Sequence, residues 1–498
     1  MWNTLIPIFA LPFIGILILL ILPFNNELNI KKGKQIALGT SILTLLESLR
    51  LWFHFDYSTS KFQYILKLNW INDELTSNSW NIVLGIDGIS LVFIILTTLL
   101  IPICILSSWD SVKILVKGYL ISFLVIEILL IGVFTILDIF GFYILFEGVL
   151  IPMYLIIGIW GSREQKITAG YYFFFYTLIG SVLMLIGILY LYSISGTTDY
   201  LTLLGYEIDP TAQKYLFLAF FASLAVKIPK FPFHIWLPQA HVEAPVAGSV
   251  ILAGILIKLG GYGFIRFTIP LLPDASHYFA PLVFILGVLA VIYASLTTLR
   301  QTDLKRIIAY SSVSHMGLVS LGIFTLTANG IMGSIFLQLA HGLVSSALFI
   351  IVTVLYDRHH TRLVKYYRGM TVTMPIYSFL FLFFTLANIA VPLSCNFVGE
   401  FLCLLAIFEV NTTVAILASL GIILSACYSL FLYNRVCFGS FSTYLSNNSY
   451  HLLSIKDVSR REFFVLFPLV ILTIILGVYP HPIFDLLNIS VINLTTFL

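Results

Sequence analysis

Nine ionisable side chains lie inside runs of sequence that otherwise avoid charge. Each run is apolar over about 20 residues, the length that a helix needs to cross the hydrocarbon layer of a membrane. An ionisable group at that depth is costly unless it is paired or hydrated, so it is first considered as a functional residue. The nine are Glu47, Glu127, Glu147, Lys227, Lys230, Lys258, His315, His341 and Glu400.

Several of these groups are predicted to lie at a common depth. Lys227 is about 20 Å below the end of its apolar run, at a rise of ~1.5 Å per residue. The same count brings Glu127, Lys258, His315 and His341 to nearly the same plane, and Glu147 slightly nearer one face. Polar residues that were merely tolerated would not be expected to cluster in this way.

A row of this composition can handle protons. Burial in an apolar bundle disfavours a charged lysine, and a nearby carboxylate restores the charge. Moving Glu147 toward or away from Lys227 would therefore switch the lysine between holding and releasing a proton. Histidines titrate near neutral pH and can pass protons between lysines through water.

Each group also has a structural interpretation. Buried lysines and carboxylates favour function, whereas a histidine such as His315 can simply hydrogen-bond a carbonyl between helices. Lys230 is equally compatible with a lysine that extends into a water-filled cavity. Glu47 stands three residues before Arg50, the spacing of an ordinary helical ion pair.

The elements that must position these groups are transmembrane helices. The chain is 59% hydrophobic and 10% charged, against about 25% charged residues in soluble proteins. Apolar runs and polar breaks predict an all-α polytopic membrane protein of about fourteen helices. Their approximate bounds are 4–23, 36–53, 88–107, 116–137, 139–160, 168–193, 214–238, 244–268, 278–298, 304–325, 330–355, 374–409, 411–435 and 463–480.

Prolines break two of these helices. Pro229 and Pro232 interrupt the seventh and Pro392 the twelfth, and such breaks are tolerated only where protein or water satisfies the freed backbone. The break beside Lys227 would admit water to the lysine. Breaks five helices apart suggest a single domain, 1–498, with two inverted five-helix repeats. The repeats would cover approximately 116–268 and 278–435, with flanking helices in 1–107 and 463–480.

Alternate loops differ in charge. If the loop after the first helix is called inside, most of the 26 Lys and Arg residues fall in inside loops. The positive-inside rule then places both termini outside. The segments 54–86 and 440–462 are expected to be loops.

Motifs for other chemistries are missing from the sequence. The stretch LGGYGF at 259–264 does not follow a strand as a dinucleotide fingerprint would, and there is no Walker A motif. The five cysteines include no C-x-x-C pair, which argues against a cluster or zinc site. We therefore expect no cofactor and no metal in this chain, and no nucleic-acid partner.

Four motifs resemble a known family. They are AVKIPKFPFHIWLPQAHVEAPVAGSVILAGILIKLGGYGF (225–264), LKRIIAYSSVSHMG (304–317), QLAHGL (338–343) and NFVGEF (396–401). Together they are similar to the antiporter-like membrane subunits of NADH:ubiquinone oxidoreductase, respiratory complex I. Within the first motif, the residues HVEAPVAGS resemble the chain 4 type rather than the sister chains 2 and 5, and so does the glutamate of VGEF.

The resemblance implies a function in proton translocation. Glu147 and Lys227 match the family's carboxylate–lysine pair, Lys258 its central lysine, and Glu400 its terminal glutamate. His315 and His341 match histidines of the hydrophilic axis, and Glu127 matches a carboxylate of the fourth helix less closely.

The resemblance also implies partners and a location. NAD, FMN, iron–sulfur clusters and ubiquinone would belong to other subunits, with chains 2 and 5 and membrane lipids as partners. An organelle-type composition rich in Ile and Phe implies the mitochondrial inner membrane, with both termini on the intermembrane-space side. The alternatives are a subunit of a cation/proton antiporter and a purely structural role for the buried charges.

Overall fold

Helices account for most of the chain in the computed structural model, which describes residues 5–72, 79–440, 442 and 456–496. Helical residues lie over each of the predicted apolar segments. Within the described residues, ten helices are long and apolar enough to cross a membrane, and two shorter ones are also apolar. This architecture is that of a multi-pass membrane protein.

The described residues of the first half, 5–72 and 79–245, form ten helices and two strands. In order they are α1 Ile6–Ile21, α2 Glu27–Phe53, β1 Gln63–Asn72, β2 Ser79–Ile86, α3 Gly88–Ser107, α4 Val116–Thr135, α5 Ile139–Gly148, α6 Leu150–Trp160, α7 Lys166–Ser195, α8 Tyr200–Leu204, α9 Pro210–Lys227 and α10 Trp236–Glu243.

The second half is helical throughout the described residues. It contains α11 Val246–Leu271, α12 Pro273–Arg300, α13 Leu304–Ile323, α14 Ala328–His359, a 3-10 turn at Val364–Tyr366, α15 Met370–Thr373, α16 Pro375–Asn388, α17 Cys395–Val410, α18 Thr412–Cys437, α19 Arg460–Val478 and α20 His481–Thr495.

Two helices, α11 and α14, form the centre of the bundle. Both are wholly buried over their apolar stretch, whereas α18 and α19 are mostly exposed on the perimeter. Close approach of α11 and α14 depends on glycine, because a Cβ on Gly342 would lie 3.0 Å from the Gly254 carbonyl oxygen. His341 and Ala253 adjoin these glycines, so the contact sets the spacing of the central polar groups.

The helix breaks lie at the prolines. Residues 228–235 separate α9 from α10 and include Pro229 and Pro232, while Pro392 lies between α16 and α17. The fifth predicted helix crosses as one unit, Ile139–Trp160, because Val149 between α5 and α6 keeps α-helical backbone angles.

The structure contains two elements that the sequence did not predict, a β-hairpin and a last helix. The segment 54–86 contains an antiparallel hairpin in which β1 pairs with β2, with Gln63 opposite Ile86. Beyond the last predicted helix, α20 packs against α3 at the hairpin end of the bundle. The expectation of loops at 440–462 falls largely outside the described residues.

Candidate functional site

Four of the predicted residues form a chain of contacts across the bundle. Lys258 Nζ on α11 lies 2.9 Å from His341 Nδ1 on α14. The rings of His341 and His315 have centroids 5.5 Å apart. His315 Nδ1 on α13 lies 2.9 Å from Glu400 Oε1 on α17. The structure therefore brings together Lys258, the two histidines and Glu400, although the first and last of them are more than 140 positions apart in the sequence.

Helix α11 has an irregular backbone on both sides of Lys258. Its segments Leu252–Leu256 and Phe264–Thr268 are π-helical. This geometry is rare in proteins overall, and where it occurs it is often at a functional site. The wider turn leaves carbonyls out of the α-helical pattern, and the Lys258 ammonium donates a hydrogen bond to the Ala253 carbonyl. Lys258 is fully buried. Its polar contacts are with His341 and with this carbonyl.

Lys227 and Glu147 form a separate part of the site. Lys227 is the last residue of α9 and is 2% exposed. Its Nζ lies 4.3 Å from the centroid of the Phe146 ring, the residue before Glu147 on α5. Among the described residues, the ion pairs within 4 Å do not include Lys227 with Glu147, and Glu147 Oε1 is buried without a hydrogen-bond partner. The two residues therefore lie near each other, at the end of α9 and on α5, without a direct ion pair.

The break after Lys227 is held by side-chain and backbone contacts. Trp236 Nε1, at the start of α10, donates to the Val226 carbonyl at 2.9 Å. The Lys230 backbone N–H donates to the Ala225 carbonyl at 3.2 Å. These bonds replace some of those that Pro229 and Pro232 cannot make, so the irregular backbone is defined at bilayer depth.

Glu127 lies apart from the other site residues. It is fully buried on α4, and Thr44 on α2 donates to its Oε1 at 2.5 Å. Its Oε2 has no hydrogen-bond partner. Among the described residues, Glu127 has a hydrogen bond from Thr44 and no ion pair with a lysine. The structure therefore does not join Glu127 to the central chain.

Lys230 is a second buried amine near the helix break. It is 1% exposed and its Nζ has no hydrogen-bond partner. Glu47, by contrast, forms the expected pair with Arg50, at 3.1 Å.

Two buried amides beside the chain were missed by sequence analysis. Gln338 lies one turn before His341 on α14, and Asn396 one turn before Glu400 on α17. Both are fully buried, and both polar atoms of each amide lack a protein partner. Buried polar groups are normally satisfied by protein or ordered water, so these amides mark places for water. The helical spacing from His341 and Glu400 was the sequence signal that could have identified them.

Two further buried groups lie near the N-terminal end of α11. His241 stacks on Phe349 with ring centroids 4.6 Å apart, and neither of its nitrogens has a partner. Lys305, in the first turn of α13, is 2% exposed and donates to the Ala244 carbonyl at 2.9 Å.

A small cavity adjoins the Glu400 end of the chain. Its volume is about 20 Å³, and His315, Glu400, Ser314 and Ser425 are among its lining residues. A cavity needs about 10–15 Å³ to hold one water molecule. The space therefore suits a single water between His315, Glu400 and the two serines.

The described residues contain no group of three or more His, Cys, Asp or Glu side chains that could bind a metal ion. The arrangement instead provides a row of proton donors and acceptors, with a small cavity at its Glu400 end. Such a set can hold and transfer protons.

Comparison with known proteins identifies relatives over the full length of the chain. A family model described as NADH:quinone oxidoreductase/Mrp antiporter, transmembrane, matches residues 137–425. The chain is 58% identical to NADH-ubiquinone oxidoreductase chain 4 of Metridium senile, over 97% of this chain and 96% of that protein. It is 53% identical to the chain 4 protein of Arabidopsis thaliana, over 97% and 95% of the two chains.

A solved structure has the same fold. A chain of respiratory complex I from Thermus thermophilus, solved with bound NADH, superposes with a TM-score of 0.86 at 27% identity, covering 99% of both chains. The chain therefore belongs to the NADH:quinone oxidoreductase/Mrp antiporter transmembrane family and, within it, to the chain 4 type of NADH-ubiquinone oxidoreductase.

Proposed function

We propose that this chain is a proton-translocating membrane-arm subunit of respiratory complex I. It would couple electron transfer from NADH to ubiquinone, carried out elsewhere in the complex, to proton movement across the membrane. The observation that carries the proposal is the buried contact chain from Lys258 through His341 and His315 to Glu400. Full-length similarity to chain 4 proteins supports the choice of complex.

The first step in the proposed cycle occurs at Glu147 and Lys227. Redox chemistry in other subunits perturbs Glu147, which lies next to the Phe146 ring that Lys227 contacts. As the carboxylate moves away, a charged Lys227 loses its counter-charge in an apolar environment and releases its proton. The helix break after Lys227 gives this side chain a backbone outside the regular helix.

The second step carries a proton through the centre of the bundle. His341 lies within hydrogen-bond distance of Lys258, so a proton on the lysine can pass to the imidazole. The 5.5 Å between ring centroids calls for a ring rotation or a bridging water before His315 receives it. Glu400 then accepts the proton beside the small cavity and delivers it to the outer face.

Glu127 has a less direct role in this proposal. Its one recorded hydrogen bond is from Thr44, on a helix at the edge of the bundle. We infer that it tunes the fourth helix electrostatically or serves a neighbouring subunit.

Several wider assignments belong to the same proposal. The two inverted repeats would relate the broken helices around Lys227 and Pro392. NAD, FMN, iron–sulfur clusters and ubiquinone would bind other subunits, and the sister chains 2 and 5 would be neighbours. Relatives from eukaryotes named for ubiquinone support the mitochondrial inner membrane, with both termini on the intermembrane-space side.

A native gel tests the proposal. Membranes are solubilised in mild detergent, separated by native electrophoresis and stained for NADH oxidation, and peptides of this chain are sought in each band by mass spectrometry. We expect the chain in a large band that oxidises NADH. Recovery only in a small particle without NADH oxidation would favour the antiporter alternative, which the family description also includes. Proton flux that depends on sodium or potassium would then be measured.

A further inference from the structure

The proposed cycle leaves one buried amine unused. Lys230 lies in the break between α9 and α10, three residues after Lys227, and is 1% exposed. Its Nζ has no hydrogen-bond partner. Among the described residues it takes part in no ion pair. Burial of an unpaired amine at bilayer depth is costly and is a sign of function.

Three phenyl rings surround the Lys230 amine. Its Nζ lies 5.1 Å from the ring centroid of Phe221 and 5.5 Å from those of Phe264 and Phe324. Ring faces attract a cation within about 6 Å through their quadrupole. The three rings, which we call the phenyl cage, can therefore accept either a neutral amine or an ammonium.

The phenyl cage lies on one side of the central row. Phe221 precedes Lys227 by six residues and Phe264 follows Lys258 by six, which corresponds to about 9 Å at the helical rise. Helices α9 and α11 run in opposite directions, so both displacements point the same way. That direction is toward the β1–β2 hairpin, because Arg266, two residues after Phe264, forms an ion pair with Asp87, which follows β2.

The ionisable groups on the surrounding elements are mostly basic. Lys227 ends α9, three residues before Lys230. Helix α11 contributes Lys258 and the paired Arg266, and α13 contributes His315, nine residues before Phe324. Lys227 contacts the ring next to Glu147, whereas the phenyl cage offers Lys230 only ring faces. The two lysines therefore differ in how they can hold a proton.

We propose that Lys230 is a second proton-binding residue on the broken helix, on the hairpin side of the central row. The proposal rests on the proton-translocating function above. When Glu147 moves away, the Lys227 ammonium gives a proton to a bridging water, and that water gives one of its own protons to the neutral amine of Lys230. The water is regenerated and the charge moves with the proton, so no other reactant is consumed. The phenyl cage stabilises the resulting cation until the proton moves on.

Two substitutions in the assembled complex test this proposal. Lys230→Met removes the amine. It keeps most of the length and the apolar character of the side chain, so it should still pack against the phenyl cage. Lys230→Arg keeps the positive charge and ring contacts, but a guanidinium does not release its proton in proteins. Sealed vesicles are assayed for NADH-driven proton uptake, and native gels report the amount of assembled complex.

We expect both variants to lower the rate of proton uptake per assembled complex by at least about tenfold, since proton transfer by a positioned group is worth that much or more. The matched control is Lys214→Met. Lys214 is on the same helix, with its Nζ 4.1 Å from the Tyr278 ring, and is only half-buried. The control should pump at the wild-type rate.

Other outcomes would overturn the proposal. Normal pumping by Lys230→Met would mean that the amine is only tolerated, and rescue by Lys230→Arg alone would mean a structural cation. If Lys230→Met does not assemble, Lys230→Gln is assayed in its place with the same criteria. Lys258→Met separates the two levels of inference. If it stops pumping while Lys230→Met does not, the Lys230 site is wrong and the proposed function stands, whereas normal pumping by Lys258→Met contradicts the function itself.

Discussion

At the scale of single residues, the central chain consists of two close contacts and one wider gap. Lys258 Nζ and His341 Nδ1 are 2.9 Å apart and form a hydrogen bond, whereas His315 Nδ1 and Glu400 Oε1 are equally close but Glu400 Oε1 has no hydrogen-bond partner. The two imidazole rings are further apart. Proton transfer between the histidines is therefore the step that depends most on ring motion or on water.

Lys227→Ala tests the input end of the cycle. Removing the amine leaves Glu147 without its charge partner and removes the proton it controls, so protons pumped per electron should fall, or coupled turnover should stop. A loss of about a hundredfold in rate is the scale of one acid–base group. Proton uptake and NADH oxidation are measured together in sealed vesicles.

The control for Lys227→Ala is Glu47→Gln, which alters a partly exposed helical pair and should leave pumping unchanged. Unchanged rate and stoichiometry in Lys227→Ala would remove Lys227 from the mechanism. If neutral substitutions at Lys227 and Lys258 reduce assembly while the assembled fraction pumps normally, the buried charges have a structural role.

Asp87→Asn tests a buried ion pair away from the central row. Asp87 accepts a hydrogen bond from the Ser90 N–H at the start of α3 and pairs with Arg266, which is 3% exposed. Leaving the guanidinium buried without its carboxylate should cost about 3–5 kcal/mol.

The loss is read as a lower yield of assembled complex and a lower temperature of its thermal inactivation. In the double variant with Arg266→Met, no charge is left unpaired, so stability should partly return. A double variant no better than Asp87→Asn alone would contradict this account.

At the scale of helices, small residues decide how closely the polar groups approach. A Cβ on Gly399 would lie 2.8 Å from Leu337 Cα and 2.9 Å from Leu337 N. Gly399 is therefore required where α17 packs against α14, and it places Glu400 next to His315. The central chain depends on this packing as much as on its ionisable residues.

Gly399→Ala should separate α17 from α14. Overpacking of this kind typically costs about 1–3 kcal/mol, and it would also lengthen the contact between His315 and Glu400. We expect slower proton uptake together with a lower inactivation temperature. Gly158→Ala is the matched control, since a Cβ there meets nothing within 4 Å, and equal behaviour of the two variants would argue against the packing explanation.

The helices were predictable where one physical rule dominates. A backbone crossing hydrocarbon must satisfy its own hydrogen bonds, so apolar length alone locates a helix such as α14. Proline likewise located the breaks at Pro229 and Pro392. The π-helical turns around Lys258 were not predictable, because they depend on packing against α9 and α14 rather than on a local residue preference.

Side-chain partners were harder to predict than positions. Sequence spacing placed Lys258 and His341 at similar depth, but only the approach of two glycines on α11 and α14 makes them neighbours. The same limit explains Lys230, whose phenyl cage takes its rings from α9, from α11 and from the C-terminal cap of α13.

At the scale of the whole molecule, helix α20 near the C-terminus closes the hairpin end of the bundle. It packs on α3, and the Gly88 N–H donates to Ser490 Oγ at 3.2 Å. Neither the hairpin nor α20 was predicted. Strand pairing is a long-range property, and α20 has 15 residues, too few for a crossing by length alone.

Gly88→Ala tests this closure. A Cβ at position 88 would lie 2.0 Å from the Leu486 carbonyl oxygen, and backbone cannot yield as a flexible side chain would. We expect α20 to be displaced from α3, with faster proteolysis of the C-terminal segment and less assembled complex. Gly39→Ala, where a Cβ meets nothing within 4 Å, is the control, and equal proteolysis of the two would show that the contact is dispensable.

The depth of the central residues has an electrical consequence. Lys258, His315 and His341 each lie 11 to 13 residues from the start of their own helices, near mid-helix. A proton passing among them travels along the membrane rather than through it. The membrane potential does work of about 2.3 kcal/mol per charge per 100 mV on transmembrane movement, and almost none on this lateral leg. The voltage sensitivity of turnover should therefore arise in the short paths that connect the row to each face.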